Sequence, residues 1–359
     1  MNEDASAAEP LLEELLSAAT PEERFHLLRE QERFHSLALA EVLLQQSAEA
    51  QLAAPDEALL LARLAGHLAP HLAPAQVADG VLARALCLEG NAHRLNGDLD
   101  LAAEAFVSAV PALVEPVNHA AFSRGLGLVR WEQGRPDEAV ALLGYAVGLY
   151  ELTADERDTT SLLQGVLLAE LGFAGAAAEV LANIPPPNRH PALCGRAVLS
   201  LAGAVEEDAP NRDGYTRYLL EKGMSVYPLL AGDTDELTSL YRLEARAKAR
   251  LGQTEEARAT LGGLRNHYLE TRDLPELALA TIDLLALQVA AGEIPSVVPF
   301  RRDLETFEPE EGGPLAQQAL DRMFASGAED PWDGAWETGA WLLCMLRFSR
   351  IPTRPIQFA

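Results

Sequence analysis

One set of steps recurs along this chain: a glycine, a second glycine seven residues on, a small residue five later, a bulky apolar residue four later, and a small or apolar residue three after that. Gly90, Gly97, Ala102, Phe106 and Ala109 carry it first, and Gly127, Gly134, Ala139, Leu143 and Ala146 repeat it. Gly165, Gly172, Ala177, Leu181 and Ile184 give a third copy, and Ala245, Gly252, Ala257, Leu261 and Leu264 a fourth. Leu285, Gly292, Val297, Arg301 and Leu304 are a worn fifth.

Each step has a physical reading in a pair of helices joined by a tight turn. Gly97, Gly134, Gly172, Gly252 and Gly292 each close an apolar-periodic run and precede a polar or acidic residue, the place of a helix C-terminal glycine with positive φ. A new helix opens at once, as in Arg135-Pro136-Asp137-Glu138, where proline and acids suit a first turn. The upstream glycine lies inside the first helix, where it costs about 1 kcal/mol relative to alanine. Close approach of the second helix at Ala102 or Ala139, with Phe106 or Leu143 filling the space alongside, is the expected offset.

The turn glycines are 37, 38 and 40 residues apart for the pairs 97–134, 134–172 and 252–292. The 80 residues from Gly172 to Gly252 leave room for one degenerate copy, over 191–228. Ala53, Ala58, Ala62 and Ala65 keep the later steps, so residues 33–70 read as a further copy. A two-helix unit at such a period predicts a helical solenoid.

On these residues the chain resembles the tetratricopeptide repeat family, in a degenerate, long-period form of the kind met in bacterial regulators. The resemblance implies an all-α fold, a right-handed α-solenoid of about six to seven helix-turn-helix units with a period of about 37–44. Residues 1–32 would form an N-terminal cap, 33–308 the array with a subdivision near 185–190, and 309–359 a C-terminal cap and tail. The run Trp332, Trp336 and Trp341 marks that tail as the cover of an exposed last repeat, or as an interaction helix.

Composition agrees with helix: aromatics make up only 6% of the chain and period-two runs of Val, Ile and Thr are missing. A net charge of −26 disfavours direct nucleic-acid or anionic-membrane binding. Three scattered cysteines, Cys87, Cys194 and Cys344, form neither a disulfide framework nor a zinc site. No leader or membrane-spanning run is read, so a cytoplasmic setting is expected.

No catalytic constellation, metal site or cofactor motif is read. His67 and His71 have ligand spacing but lack a glutamate between them or a third ligand. The resemblance implies a concave side lined by the first helix of each pair. Counting back from the turn glycines places Arg84, Asn91, Arg94, Arg124, Trp131, Arg242 and Arg246 on that side. Arginine forks take carboxylates and asparagine can hold a peptide backbone; the plainer reading pairs the arginines with acids such as Glu89, Glu132 and Glu244. The expected function is a non-enzymatic protein- or peptide-binding scaffold or adaptor. Its partner would be another protein or peptide segment, acidic or ending in a C-terminal carboxylate. The alternative is a ligand- or peptide-responsive regulator of a separate protease, nuclease or transcription factor.

Overall fold

The structure, a computed structural model, describes residues 3–51, 53–149, 154–171, 173–183, 190–205, 209, 211–307, 312–325, 335 and 338–339. Every regular element among them is helical. The chain divides into two units, one running to Thr153 and one beginning at Ala154.

The first unit contains α1 (Glu3–Ser17), α2 (Pro21–Glu30), α3 (Leu37–Ala50), α4 (Pro55–Leu68), α5 (Ala75–Leu95), α6 (Leu99–Ala109), α7 (Pro116–Glu132) and α8 (Pro136–Gly148). Consecutive helices pair as antiparallel hairpins, and α1, α3, α5 and α7 also pack side by side. The second unit repeats the arrangement with α9 (Ala154–Glu170), α10 (Ala174–Val180), α11 (Pro191–Ala204), α12 (Arg212–Met224), α13 (Thr234–Arg250), α14 (Thr254–Thr271), α15 (Leu274–Ala290), α16 (Val297–Phe307) and α17 (Gly312–Ala325). There α9, α11, α13 and α15 form the row of first helices. The architecture is a tetratricopeptide-like stack of helical hairpins, as the spacing predicts.

The glycines act as the spacing requires. Gly97, Gly134, Gly252 and Gly292 have φ of +85°, +71°, +75° and +72°; Gly172 lies outside the described residues. At the upstream position, a Cβ on Gly90 would sit 2.7 Å from the Phe106 ring and 3.2 Å from the Ala102 carbonyl oxygen. On Gly127 it would meet Leu143 Cγ at 3.3 Å and the Ala139 oxygen at 3.4 Å. The lost helix propensity is thus exchanged for contact with the partner helix at the residues that recur in sequence. Phe106 does more than fill its own hairpin, because Gly125 of α7 also opens onto its ring. Its side chain is buried in a slot shared by two consecutive hairpins, edge-on to Phe122 at 6.2 Å.

Departures from the expected pattern have local causes. The turn before α15 uses Arg272 at φ +59°, a non-glycine in the left-handed region, so no glycine marks it. In the degenerate copy the close approach is reciprocal: Gly195 of α11 faces Val226 and Leu240, and Gly223 of α12 faces Leu199. Thr20 and Glu23 form a capping box at α2.

Ala335, Thr338 and Gly339 are spaced as one helix face. The first two are buried, and a Cβ on Gly339 would lie 3.0 Å from Leu279 of α15. Trp332, Trp336 and Trp341, and the run 184–189 where the sequence suggests a subdivision, lie outside the described residues.

Gly127→Leu should overpack the α7–α8 contact and cost roughly 1–3 kcal/mol, read as a lowered urea midpoint at unchanged slope. An unchanged midpoint would show that the glycine is not there for close approach.

Candidate functional site: the faces of the first helices

Arg84, Cys87, Asn91 and Arg94 lie three or four residues apart and so share one stripe of α5, with α3 on one side and α7 on the other. At one end of the stripe Arg84 Nη1 donates to both carboxylate oxygens of Glu41 on α3, at 2.7 and 2.8 Å. At the other end runs a relay. Asn91 Nδ2 donates to Gln51 Oε1 at 3.0 Å, Arg94 Nε donates to Asn91 Oδ1 at 3.0 Å, and Arg94 Nη1 donates to Glu132 Oε1 of α7 at 2.8 Å. Three first helices are thereby tied by one hydrogen-bonded line, and the side chains of Arg94 and Glu132 are each only 2% exposed. Arg124 and Trp131 are half-buried on α7. The Arg124 charge acts on Cys87, but burial is the larger influence and pushes that thiol up to about 12.

The second unit has a comparable set. Arg242 and Arg246 of α13 converge on Asp283 of α15, a carboxylate with no exposed surface. Arg246 is hydrogen-bonded to Asp283, while Arg242 is held more loosely, Nη1 3.2 Å from Asp283 Oδ2 and Nε 3.6 Å from Glu276 Oε2. Burial opposes the charge of both arginines. For Arg242 the nearby Glu276 and Asp283 outweigh it and raise the pKa, whereas for Arg246 burial prevails and lowers it. Across the same row Arg196 of α11 reaches Glu170 of α9 at 3.5 Å, and burial raises the Glu236 carboxyl against the pull of Arg196.

Of the arginines expected to face a ligand, Arg94, Arg242 and Arg246 are therefore buried and paired, and Arg84 is half-exposed and paired on one side. Asn91 spends its carbonyl and one N–H inside the relay. Arg84, Asn91, Arg94, Arg124 and Trp131 belong to the first unit, and Arg242 and Arg246 to the second. Sequence reasoning named Glu132 among the acids available to the arginines but missed Glu41, Glu276 and Asp283. Asp283 was visible in principle: it is a lone charge in the apolar run Leu277–Leu287, 37 residues from Arg246.

His67 and His71 take no ligand geometry. His67 meets the Phe25 ring at 4.5 Å and His71 stacks on His35 at 4.0 Å. Among the described residues no group of three or more His, Cys, Asp or Glu could hold a metal, and no helix is long and apolar enough to cross a membrane.

Two outcomes follow from this geometry. Removing one partner of a buried pair leaves an uncompensated charge, so Arg94→Met should cost about 3–5 kcal/mol, and Arg94→Met with Glu132→Leu should recover most of it. Urea unfolding of both variants checks this, and an additive double variant would show that the pair is not coupled. Cys87 and Cys194 are buried, with thiols raised to about 12 and about 11 from 9.0, burial being the main cause in each. At pH 8 native protein should leave both unalkylated by iodoacetamide in peptide-level mass spectra, while urea exposes both. Because the folded state holds these protons more tightly, their contribution to stability is intact below about pH 9 and declines as pH rises through the folded values.

No protein-family model matches the chain, and no curated protein matches it. Among solved structures, the crystal structure of Rap protein complexed with competence and sporulation factor is similar to it, with a TM-score of 0.56 at 12% sequence identity. The likeness covers 87% of this chain and 88% of that one, and it is a likeness of fold: the chain is built as a tetratricopeptide-like helical repeat protein.

Proposed function

We propose that this chain is a non-enzymatic scaffold that binds a protein or peptide segment along its first-helix faces, with Arg84 as the contact for a ligand carboxylate. The observation that carries the reading is the state of the Arg84 guanidinium. Glu41 engages only Nη1, and among the described residues Nε and Nη2 have no hydrogen-bond partner. The side chain is 42% exposed. Nε–H and Nη2–H form the edge that takes a carboxylate with two parallel hydrogen bonds, and Glu41 holds the group from its opposite end. Arg94, Arg242 and Arg246 have their acids already and act as structure beneath the surface. An acidic side chain or a chain-terminal carboxylate is the ligand group that fits. The fold neighbour, solved in complex with a separate factor, supports a binding role.

A second reading is favoured by Arg242. A buried cation held loosely between two acids of the next hairpin can tighten on either, which suits a regulator whose hairpins shift on ligand binding and so control a separate protease, nuclease or transcription factor.

Cross-linked capture from the native cell followed by mass measurement identifies the partner, and titration with that partner then tests the site. Arg84→Ala with Arg124→Ala should weaken binding about tenfold or more, the loss typical of a charged hydrogen-bonded contact, while the melting temperature moves by no more than a few degrees. Unchanged affinity removes the arginines from the site, and failure of any protein or peptide to co-purify in stoichiometric amount overturns the scaffold.

A further inference from the structure

Helix α12 turns Thr216, Leu219, Leu220 and Gly223 into its unit and leaves a broad face in solvent. That face carries Tyr215 at 37% exposure, Tyr218 at 56% and Met224 at 37%, and Leu229 follows at 53% in the turn beyond. The two tyrosine rings lie 6.5 Å apart and 17° from parallel, with Lys222 Nζ 5.9 Å above Tyr218. Tyrosine and methionine are enriched where proteins meet. The surface is aromatic and exposed.

Charge identifies its occupant. Arg217 and Glu221 are exposed one helical turn apart on this face, and among the described residues neither has an ion-pair partner. Asp213 and Lys222 complete the charged residues of the face, which therefore balances to zero in a chain of net charge −26. Two copies of so acidic a chain repel one another over most of their surfaces. A second exposed apolar row, Leu101, Val107, Val110 and Val114, is flanked by Asp100, Glu104 and Glu115 with no base between, and would repel a copy of itself. The α12 face does not, and its charges are self-complementary. An antiparallel mate related by a two-fold axis at the level of residue 219 sets Arg217 opposite Glu221 of the second copy and Glu221 opposite its Arg217. Tyr218 of each copy flanks these charge pairs, one on either side of the axis. This is the condition an isologous interface must satisfy, the same patch fitting itself.

We infer that α12 is the seam of a symmetric homodimer of this chain, formed by antiparallel pairing of the face that carries Tyr215, Arg217, Tyr218, Glu221 and Met224. The interface lies on a second helix of a hairpin, so it leaves the first-helix faces free, and dimerisation proceeds without ligand.

Sedimentation velocity of the full chain, from low to high micromolar concentration and without added partner, tests the inference. The wild type should show a monomer–dimer equilibrium. Arg217→Glu places like charges opposite each other and should weaken association about tenfold or more. Arg217→Glu with Glu221→Arg reverses both members of each cross-pair and should restore it. Tyr218→Ser removes the aromatic ring that flanks the charge pairs and should weaken association independently of charge. The three side chains changed, Arg217, Tyr218 and Glu221, are exposed, so the melting curves of the variants should match the wild type, and this control separates a lost interface from a lost fold. A wild type that sediments as a monomer throughout overturns the inference. So does an Arg217→Glu variant that associates as before, or a double reversal that fails to restore association.

Discussion

Neighbouring hairpins in both units are joined by polar side chains that meet their partners about one repeat away in sequence. Arg84 reaches back 43 residues to Glu41, Arg94 forward 38 to Glu132, Arg246 forward 37 to Asp283 and Arg265 forward 38 to Asp303. Within a hairpin, the glycine contacts bring two helices close through backbone and apolar atoms. Between hairpins, apolar packing is supplemented by these charges, several of them with almost no exposed surface. An apolar contact tolerates small slips, whereas a buried guanidinium is satisfied only where its carboxylate lies. The pairs therefore set which face of each first helix meets the next, and hence which residues remain at the surface.

This division of labour separates the inward-facing arginines by role. Arg94, Arg242 and Arg246 place their guanidinium groups at the bottom of the first-helix faces, where carboxylates of the adjacent hairpin neutralise them. Arg84 lies nearer solvent, and Glu41 engages only one of its nitrogens. The same residue type on the first-helix faces is thus buried and paired at three positions and half-exposed at a fourth, and depth separates them.

The hairpins were legible because their requirements are local. A positive φ at Gly97 or Gly252 is a demand made by a single turn, and the contact of Gly90 with Ala102 and Phe106 recurs at fixed steps along the sequence. The degenerate copy was less legible because Gly195 and Gly223 share the close approach between two helices, and the turn before α15 was less legible because Arg272 takes a backbone conformation usually left to glycine. The common stripe of Arg84, Asn91 and Arg94 on α5 followed from the phase of the helix. Their partners did not, since a cation 37 to 43 residues from its acid looks unpaired until the repeats are stacked. Only Glu132 and Asp283 left a trace in the sequence, the first as a nearby acid and the second as a lone charge in an apolar helix.

The line from Gln51 through Asn91 and Arg94 to Glu132 bears on how such an array can change over evolution. Tandem repeats ordinarily gain or lose whole units cheaply, because each new junction resembles the old one. Here a junction is specific. Excising the α5–α6 hairpin would bring α3 against α7 with Glu132 buried and no guanidinium to meet it, and duplicating it would set a second Arg94 beside the first with one acid between them. The copy number of the first unit is thus constrained by electrostatics as well as by length, and divergence is channelled into the exposed second helices and turns.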